Sequence, residues 1–148
     1  MSITFDPVLQ SNIYQQMEAA YPNEGGGFLL GQKHGEQLHI TDAIQVENVF
    51  AEEEQFHRYA MRAWDDFGRY EDEADSRGLR LLGYYHSHPD WPAVPSEFDR
   101  AHAFPNFVFL ITSVEQGKAA VMRAWQLRAD YSQFDEVSIN TTIRSENK

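Results

Sequence analysis

A chain of 148 residues is long enough to bury one hydrophobic core and too short for two, and a hydrophobic content of 42% interspersed with charge describes a globular protein rather than a disordered one. With 23 acidic against 12 basic residues the net charge is −11, which argues against a phosphate backbone or an anionic membrane surface as the main partner. Cysteine is absent, so there is neither a disulfide framework nor a thiolate ligand, and any metal must be held by His, Asp or Glu.

Residues 1–6 carry no basic region followed by an apolar stretch, and no apolar run approaches the length of a membrane span. A soluble, cytoplasmic protein is therefore expected. Asp6-Pro7 is a helix-start signal, with Asp6 as N-cap and Pro7 at the first helical position. The spacing of Val8, Leu9, Ile13, Met17 and Ala20 predicts a helix to about residue 20 with one buried face, and Tyr21-Pro22 stops it. Asn23-Glu24-Gly25-Gly26-Gly27 follows. On its own residues it is an exposed turn with a solvated carboxylate, although its glycines also let a backbone or a ligand approach closely.

Residues 27–33 and 37–46 read as a strand pair joined by His34-Gly35-Glu36, with His34 and His39 as surface polar residues. Glu52-Glu53-Glu54 reads as a solvated loop with His57 beside it. Ala63, Trp64, Phe67, Tyr70 and Ala74 then predict an amphipathic helix over residues 61–76, closed by Gly78. Residues 80–85 form a mostly apolar run of the kind buried on both faces of a sheet.

That run delivers His86-Ser87-His88-Pro89. If the strand continues through Ser87, its period of two aims His86 and His88 at one face and Ser87 at the other. Pro89 cannot donate to a ladder, and the Pro-rich stretch after it forces an excursion before Ser96. Ser96-Glu97-Phe98-Asp99 reads as the first turn of a helix, returning a carboxylate towards two imidazoles, a mixed set that suits zinc with an open position. Each half alone has a plainer reading: a His-x-His pair on a surface strand, and a capping box at a helix start. His102, one turn beyond Asp99, is either an exposed residue or a neighbour of the ligands.

Phe104-Pro105-Asn106 ends that helix, and residues 107–112 and 118–127 read as strands around the turn Glu115-Gln116-Gly117. Residues 134–143 alternate so that Val137, Ile139 and Ile143 share a buried side. The order of helices and strands implies an α/β fold, a sheet with helices on its faces.

Taken together, His86-Ser87-His88-Pro89, six residues, Ser96, two residues and Asp99 resemble the JAMM motif of the JAMM/MPN (JAB domain) zinc metalloproteases. Pro22, Glu24, Gly27, Phe28, Leu29, Leu30 and Gly31 resemble the context in which that family carries its catalytic Glu. The resemblance spans nearly the whole chain and implies one MPN domain over residues 1–148, a mixed sheet between helices similar to the cytidine deaminases. It implies zinc on His86, His88 and Asp99, with Glu24 as the base for the nucleophilic water and Ser96 as hydrogen-bond donor to the oxyanion. The short connection after Asp99 resembles the compact bacterial members, which implies as partner a ubiquitin-like sulfur-carrier protein with a Gly-Gly C-terminus. Trp91 is either a wall of the groove for that tail or a residue packed beneath its own loop. Other readings are a cell-wall or phage-tail amide hydrolase, a DNA-repair relative, which the acidic charge disfavours, and a catalytically silent scaffold. Oligomeric state is left open.

Overall fold

The computed structural model describes residues 1–46, 67–103 and 105–141. Among them the chain runs β1 (Ser2–Phe5), α1 (Pro7–Ala20), β2 (Gly26–His34), β3 (Gln37–Val46), α2 (Phe67–Ser76), β4 (Arg80–Pro89), α3 (Glu97–His102), β5 (Val108–Glu115), β6 (Lys118–Leu127) and β7 (Phe134–Thr141). The strands join in the order β1-β3-β2-β4-β5-β6-β7, and β1 closes the sheet into a barrel by pairing parallel to both β3 and β7. The sheet is mixed, as expected, with β4 and β5 parallel and the hairpins β2–β3, β5–β6 and β6–β7 antiparallel.

The mixed α/β plan holds, and what the expectation of a sheet layered between helices did not contain is its closure. The physical reason lies in Ser2-Ile3-Thr4-Phe5, whose strict alternation buries Ile3 and Phe5 completely while Ser2 and Thr4 stay partly accessible. Four residues are too few to stand out as a strand, yet they remove the edges that a twisted sheet would otherwise expose. Register shifts at Leu30/Gly31 and Ser113/Val114 mark bulges of the kind that bend strands into such closure.

Helix α1 starts as predicted: Asp6 Oδ1 accepts from Val8 N at 2.7 Å and Pro7 occupies the first turn. Its buried side chains are Ile13 and Met17, with Leu9 partly buried; Val8, expected on the same face, is exposed. Ile13 and Met17 join a cluster to which every strand contributes, including Ile3, Phe5, Leu29, Ile40, Tyr85, Leu110, Ala124 and Val137. Glu18 Oε2 also accepts from Ala119 N at 2.8 Å, so the helix ties itself to β6 as well.

A second cluster lies on the other face of β2, β4 and β5, built from Phe28, Tyr84, Phe109, Ile111 and Leu127. Tyr70 of α2 packs on Phe28 with ring centroids 4.8 Å apart, and Ala74 is buried. Gly78, at φ +72°, closes α2 while Leu79 N reaches back to Ala74 O at 2.9 Å. The β5–β6 turn places Gln116 and Gly117 at φ +53° and +86°, the two-residue form whose twist matches a hairpin. No helix among the described residues is long and apolar enough to cross a membrane. The Glu52-Glu53-Glu54 run, His57, residues 61–66 of the predicted helix and Ile143 lie outside the described residues.

Barrel closure makes β1 a stability determinant despite its length. Ile3→Ala is expected to cost about 2–5 kcal/mol, the usual range for emptying a fully buried aliphatic site, whereas the exposed Val8→Ala should stay within about 0.5 kcal/mol. Urea unfolding of the two variants checks this, and an Ile3 cost no larger than the Val8 cost would contradict the closure.

Candidate metal centre

Strand β4 extends further than residues 80–85 and carries both histidines within it, paired parallel to β5 from Gly83↔Val108 to Pro89↔Val114. Ser87 N bonds to Gly25 O on the β2 side and Asp90 N to Val114 O on the β5 side, so backbone N–H groups alternate between the two neighbours. Position 89 therefore faces the β2 side, past the end of the β2 ladder at Gly26↔His86. Pro89 costs no hydrogen bond there, which is why the strand tolerates it.

The same alternation sends Tyr85 into the enclosed cluster and Tyr84 into the outer one. His86 and His88 follow Tyr84. The His86 ring stacks on Phe109 at 4.8 Å and 21°, with Phe109 in turn stacked on Phe134. Both imidazoles are buried, at 3% and 4% exposure.

Asp99 reaches the pair from α3. Ser96 is the N-cap, its Oγ accepting from Asp99 N at 3.1 Å while its own N–H donates to Asp99 Oδ2 at 2.9 Å. The capping box and the ligand role anticipated for Asp99 are thus one arrangement: the box fixes the carboxylate, and both its oxygens face imidazoles. His86 Nε2 stands 3.1 Å from Oδ1, His88 Nε2 stands 3.1 Å from Oδ2, and the two Nε2 atoms are 3.0 Å apart. Ligand atoms on a tetrahedral ion with bonds of about 2.0–2.1 Å lie about 3.3 Å from one another. Three buried donor atoms at nearly that separation fit a divalent ion with a position left for water, and their nitrogen and oxygen chemistry suits zinc.

Protonation agrees with ligation. Burial pushes the His86 imidazole below its ordinary value, with Asp99 opposing and His88 assisting. Burial alone would raise the Asp99 carboxyl, but the two imidazoles overcome it and hold the group well below the usual carboxylate range. A neutral imidazole beside an ionised carboxylate is the state that binds metal without first losing a proton. His88 Nδ1 lies 2.8 Å from Pro92 O, a carbonyl that can accept a hydrogen bond from it, an arrangement in which Nε2 would be the ligand atom for a bound metal.

Pro92 was not legible as a functional residue, because its contribution is a backbone carbonyl. The loop that carries it is held by Trp125 Nε1, which donates to Ala93 O at 3.1 Å. Asp90, at φ +55°, opens the same loop; its carboxylate accepts from Gln116 N at 2.7 Å and from Tyr21 Oη at 2.6 Å, and these bonds keep its pKa low. Trp91 does not pack beneath the loop. At 60% exposure it walls a groove of about 440 Å³ with Ala93, Ser113, Val121 and Arg123, its ring 6.1 Å from that of His88.

Glu24 is buried to 8% exposure, so the plain reading of a solvated turn carboxylate is corrected. Its placement follows from register. Gly26 pairs with His86, and Gly25 is bonded to Ser87 twice, through Ser87 N to Gly25 O and through Gly25 N to Ser87 Oγ, both at 3.0 Å. Glu24 is the next residue back from this close pairing of the two backbones. Gly26 permits this approach, since a Cβ there would lie 2.2 Å from Tyr85 O. His34 and His39 are exposed, as expected, and the side chain of His102 lies outside what is described.

Residues 6–128 match the family profile of prokaryotic homologs of the JAB domain. Similar solved structures include that of a protein from Desulfitobacterium hafniense, with 26% identity, TM-score 0.79, and 96% of this chain and 94% of that one covered. Another is from Salinibacter ruber, with 32% identity, TM-score 0.72 and coverage of 96% and 92%. A JAB1/MPN domain protein from Archaeoglobus fulgidus shares the fold at 18% identity, TM-score 0.57 and coverage of 94% and 98%. No curated protein matches the chain.

The buried ligand set should make the metal-free protein sensitive to acid. Because the folded pKa of His86 lies below the unfolded value of about 6.5, the unfolded chain binds more protons once pH drops below about 6.5, and stability falls from there. Asp99, also depressed, adds a further loss as pH falls below about 3.9. Thermal unfolding of chelated protein between pH 8 and pH 5 should show Tm dropping below pH 6.5, with a shallower drop in His86→Gln; a Tm that rises on acidification would contradict the assignment.

Proposed function

The chain belongs to the prokaryotic JAB-domain family, and from that membership and its buried His86–His88–Asp99 set we propose that it is a zinc-dependent peptidase or isopeptidase. Its substrate is a ubiquitin-like sulfur-carrier protein, cut after the Gly-Gly tail. The observation that carries the reading is the convergence of three buried ligand atoms at 3.0–3.1 Å, with the buried Glu24 next to Gly25, which is bonded to Ser87 between the two histidines. A silent scaffold would have no use for a buried carboxylate and two buried imidazoles preorganised around one point.

His86, His88 and Asp99 would hold the zinc, which when bound lowers the pKa of a coordinated water towards neutrality and polarises the scissile carbonyl. Glu24 accepts the proton of the nucleophilic water and returns it to the leaving amine, the two halves of general acid–base catalysis at one carboxylate. Ser96 Oγ already accepts from Asp99 N, which leaves its hydroxyl proton to donate to the oxyanion as charge develops there. Pro92 O is placed to accept from His88 Nδ1, which leaves Nε2 as the ligand atom.

An extended tail binds through its main chain, and the support for that mode lies in β3. β1 pairs with β3 only over Gln37–Ile40, and among the described residues no other strand pairs with the outer edge of residues 42–46. That edge ends at Val46, which pairs with Gly26, itself paired with His86. Trp91 and the groove it walls lie on the other flank of His88, in position to take residues on one side of the cut bond.

The test is intact-mass spectrometry of a small carrier protein extended beyond its Gly-Gly, incubated with zinc-loaded protein. The extension should be removed after Gly-Gly by the wild type, not by chelated protein, and at least about 10²-fold more slowly by Glu24→Gln, which should retain stoichiometric zinc. Cleavage unaffected by Glu24→Gln would remove Glu24 as the base, and no cleavage despite bound zinc would remove this substrate.

A further inference from the structure

The segment that carries Glu24 is neither helix nor strand: α1 ends at Ala20 and β2 begins at Gly26. A general base on such a segment needs fixing, since a misplacement of about 1 Å can cost about 10²-fold in rate. Two bonds continue the end of α1, Tyr21 N to Glu18 O and Asn23 N to Ala20 O, and others reach across from residues 87–90. On the C-terminal side of Glu24, Gly25 is bonded through both N–H and C=O to Ser87, whose Oγ is fully buried. On the N-terminal side, Tyr21 Oη donates to Asp90 Oδ2 at 2.6 Å, and Asp90 Oδ1 is engaged by Gln116 N.

We infer that Ser87 and Asp90 are positioning residues that clamp the segment 21–25 from both sides of Glu24, so that the strand supplying the histidines also sets where the base stands. The inference rests on the hydrolytic reading above for its catalytic consequence, and on geometry alone for the clamp. Ser87 and Asp90 bracket His88 in sequence, and their partners Gly25 and Tyr21 bracket Glu24. The two contacts differ in kind, which makes them separable. Ser87 acts from the enclosed side through a buried hydroxyl, Asp90 from an exposed turn through a carboxylate that also pins the β5–β6 hairpin.

The clamp explains two features that the ligand set leaves idle. One is the hydroxyl between the two histidines, which points away from the metal and would otherwise be a fully buried polar group. The other is Asp90 at φ +55°, a left-handed conformation that Asp tolerates better than most residues and that turns its carboxylate towards Tyr21 and Gln116.

The test uses the zinc-loaded full chain with two readouts, turnover of the extended carrier and amide hydrogen exchange at Glu24 and Gly25. Tyr21→Phe removes one hydroxyl from a side chain that is only partly buried, and Ser87→Ala removes the other clamp. Each should lower kcat about tenfold or more with KM and zinc stoichiometry unchanged, and Ser87→Ala should raise Gly25 exchange. Ser87→Thr, which keeps the hydroxyl, should restore both readouts. Exchange that responds as expected in a protein with no turnover discards the hydrolytic reading and keeps the clamp. Unchanged Gly25 exchange in Ser87→Ala, unchanged kcat in both clamp variants of an active enzyme, or a kcat loss that tracks zinc loss overturns it.

Discussion

Asp99 is a buried carboxylate facing two buried imidazoles, and the rest of the structure is arranged so that this contact can exist. Leaving an ion uncompensated in such a place costs on the order of several kcal/mol. Here the protein supplies a Ser96 N–H on Oδ2 and a helix start with N-cap geometry, and a cation held between Asp99 and the two imidazoles would supply the rest. The arrangement holds together because β4 is laddered on both sides, by β2 up to His86 and by β5 through Pro89. A histidine pair on a free loop would lack that constraint and would pay for convergence in side-chain and backbone entropy.

Closure of the barrel extends the constraint to the whole molecule. Because β1 joins β3 to β7, the enclosed cluster is continuous around every strand, and α1 contributes Ile13 and Met17 to it. The outer face of β4 and β5 is thereby free to carry chemistry, with Phe109 orienting His86 and the loop 90–95 folding over Trp125. The arginines at 77, 100, 123 and 128 each pair with acidic neighbours on the surface. Such exposed pairs stabilise little, but they use up positive charge that an acidic chain has in short supply. A phosphate-rich partner is poorly served by that surface, and a protein tail read through its main chain is not.

Much of the site was legible because its information is local. His86, His88, Ser96 and Asp99 follow from strand period, a proline and a capping pattern, all within fourteen residues, and α1 follows from Asp6-Pro7 and its apolar spacing. What escaped is what depends on distant pairing. β1 is only four residues, and its meaning comes from β3 and β7, more than thirty and more than a hundred residues away. Pro92 acts through a carbonyl that any residue type carries, and Tyr21 meets Asp90 across 69 positions of sequence. Val8 was misplaced because helical spacing identifies a stripe but not its edges. The Glu24 carboxylate reads as solvated on its own residues, and only the twofold bond between Gly25 and Ser87 shows why it is drawn under cover.

The central claim is that this buried triad is a zinc centre with an open position. Zinc K-edge X-ray absorption of the protein reconstituted with one equivalent of zinc tests it most directly. The account predicts a four-coordinate shell of nitrogen and oxygen at about 2.0–2.1 Å, with outer-shell scattering from two imidazoles. A shell lacking imidazole scattering, a six-coordinate hydrated ion, or zinc that dialyses away would contradict it.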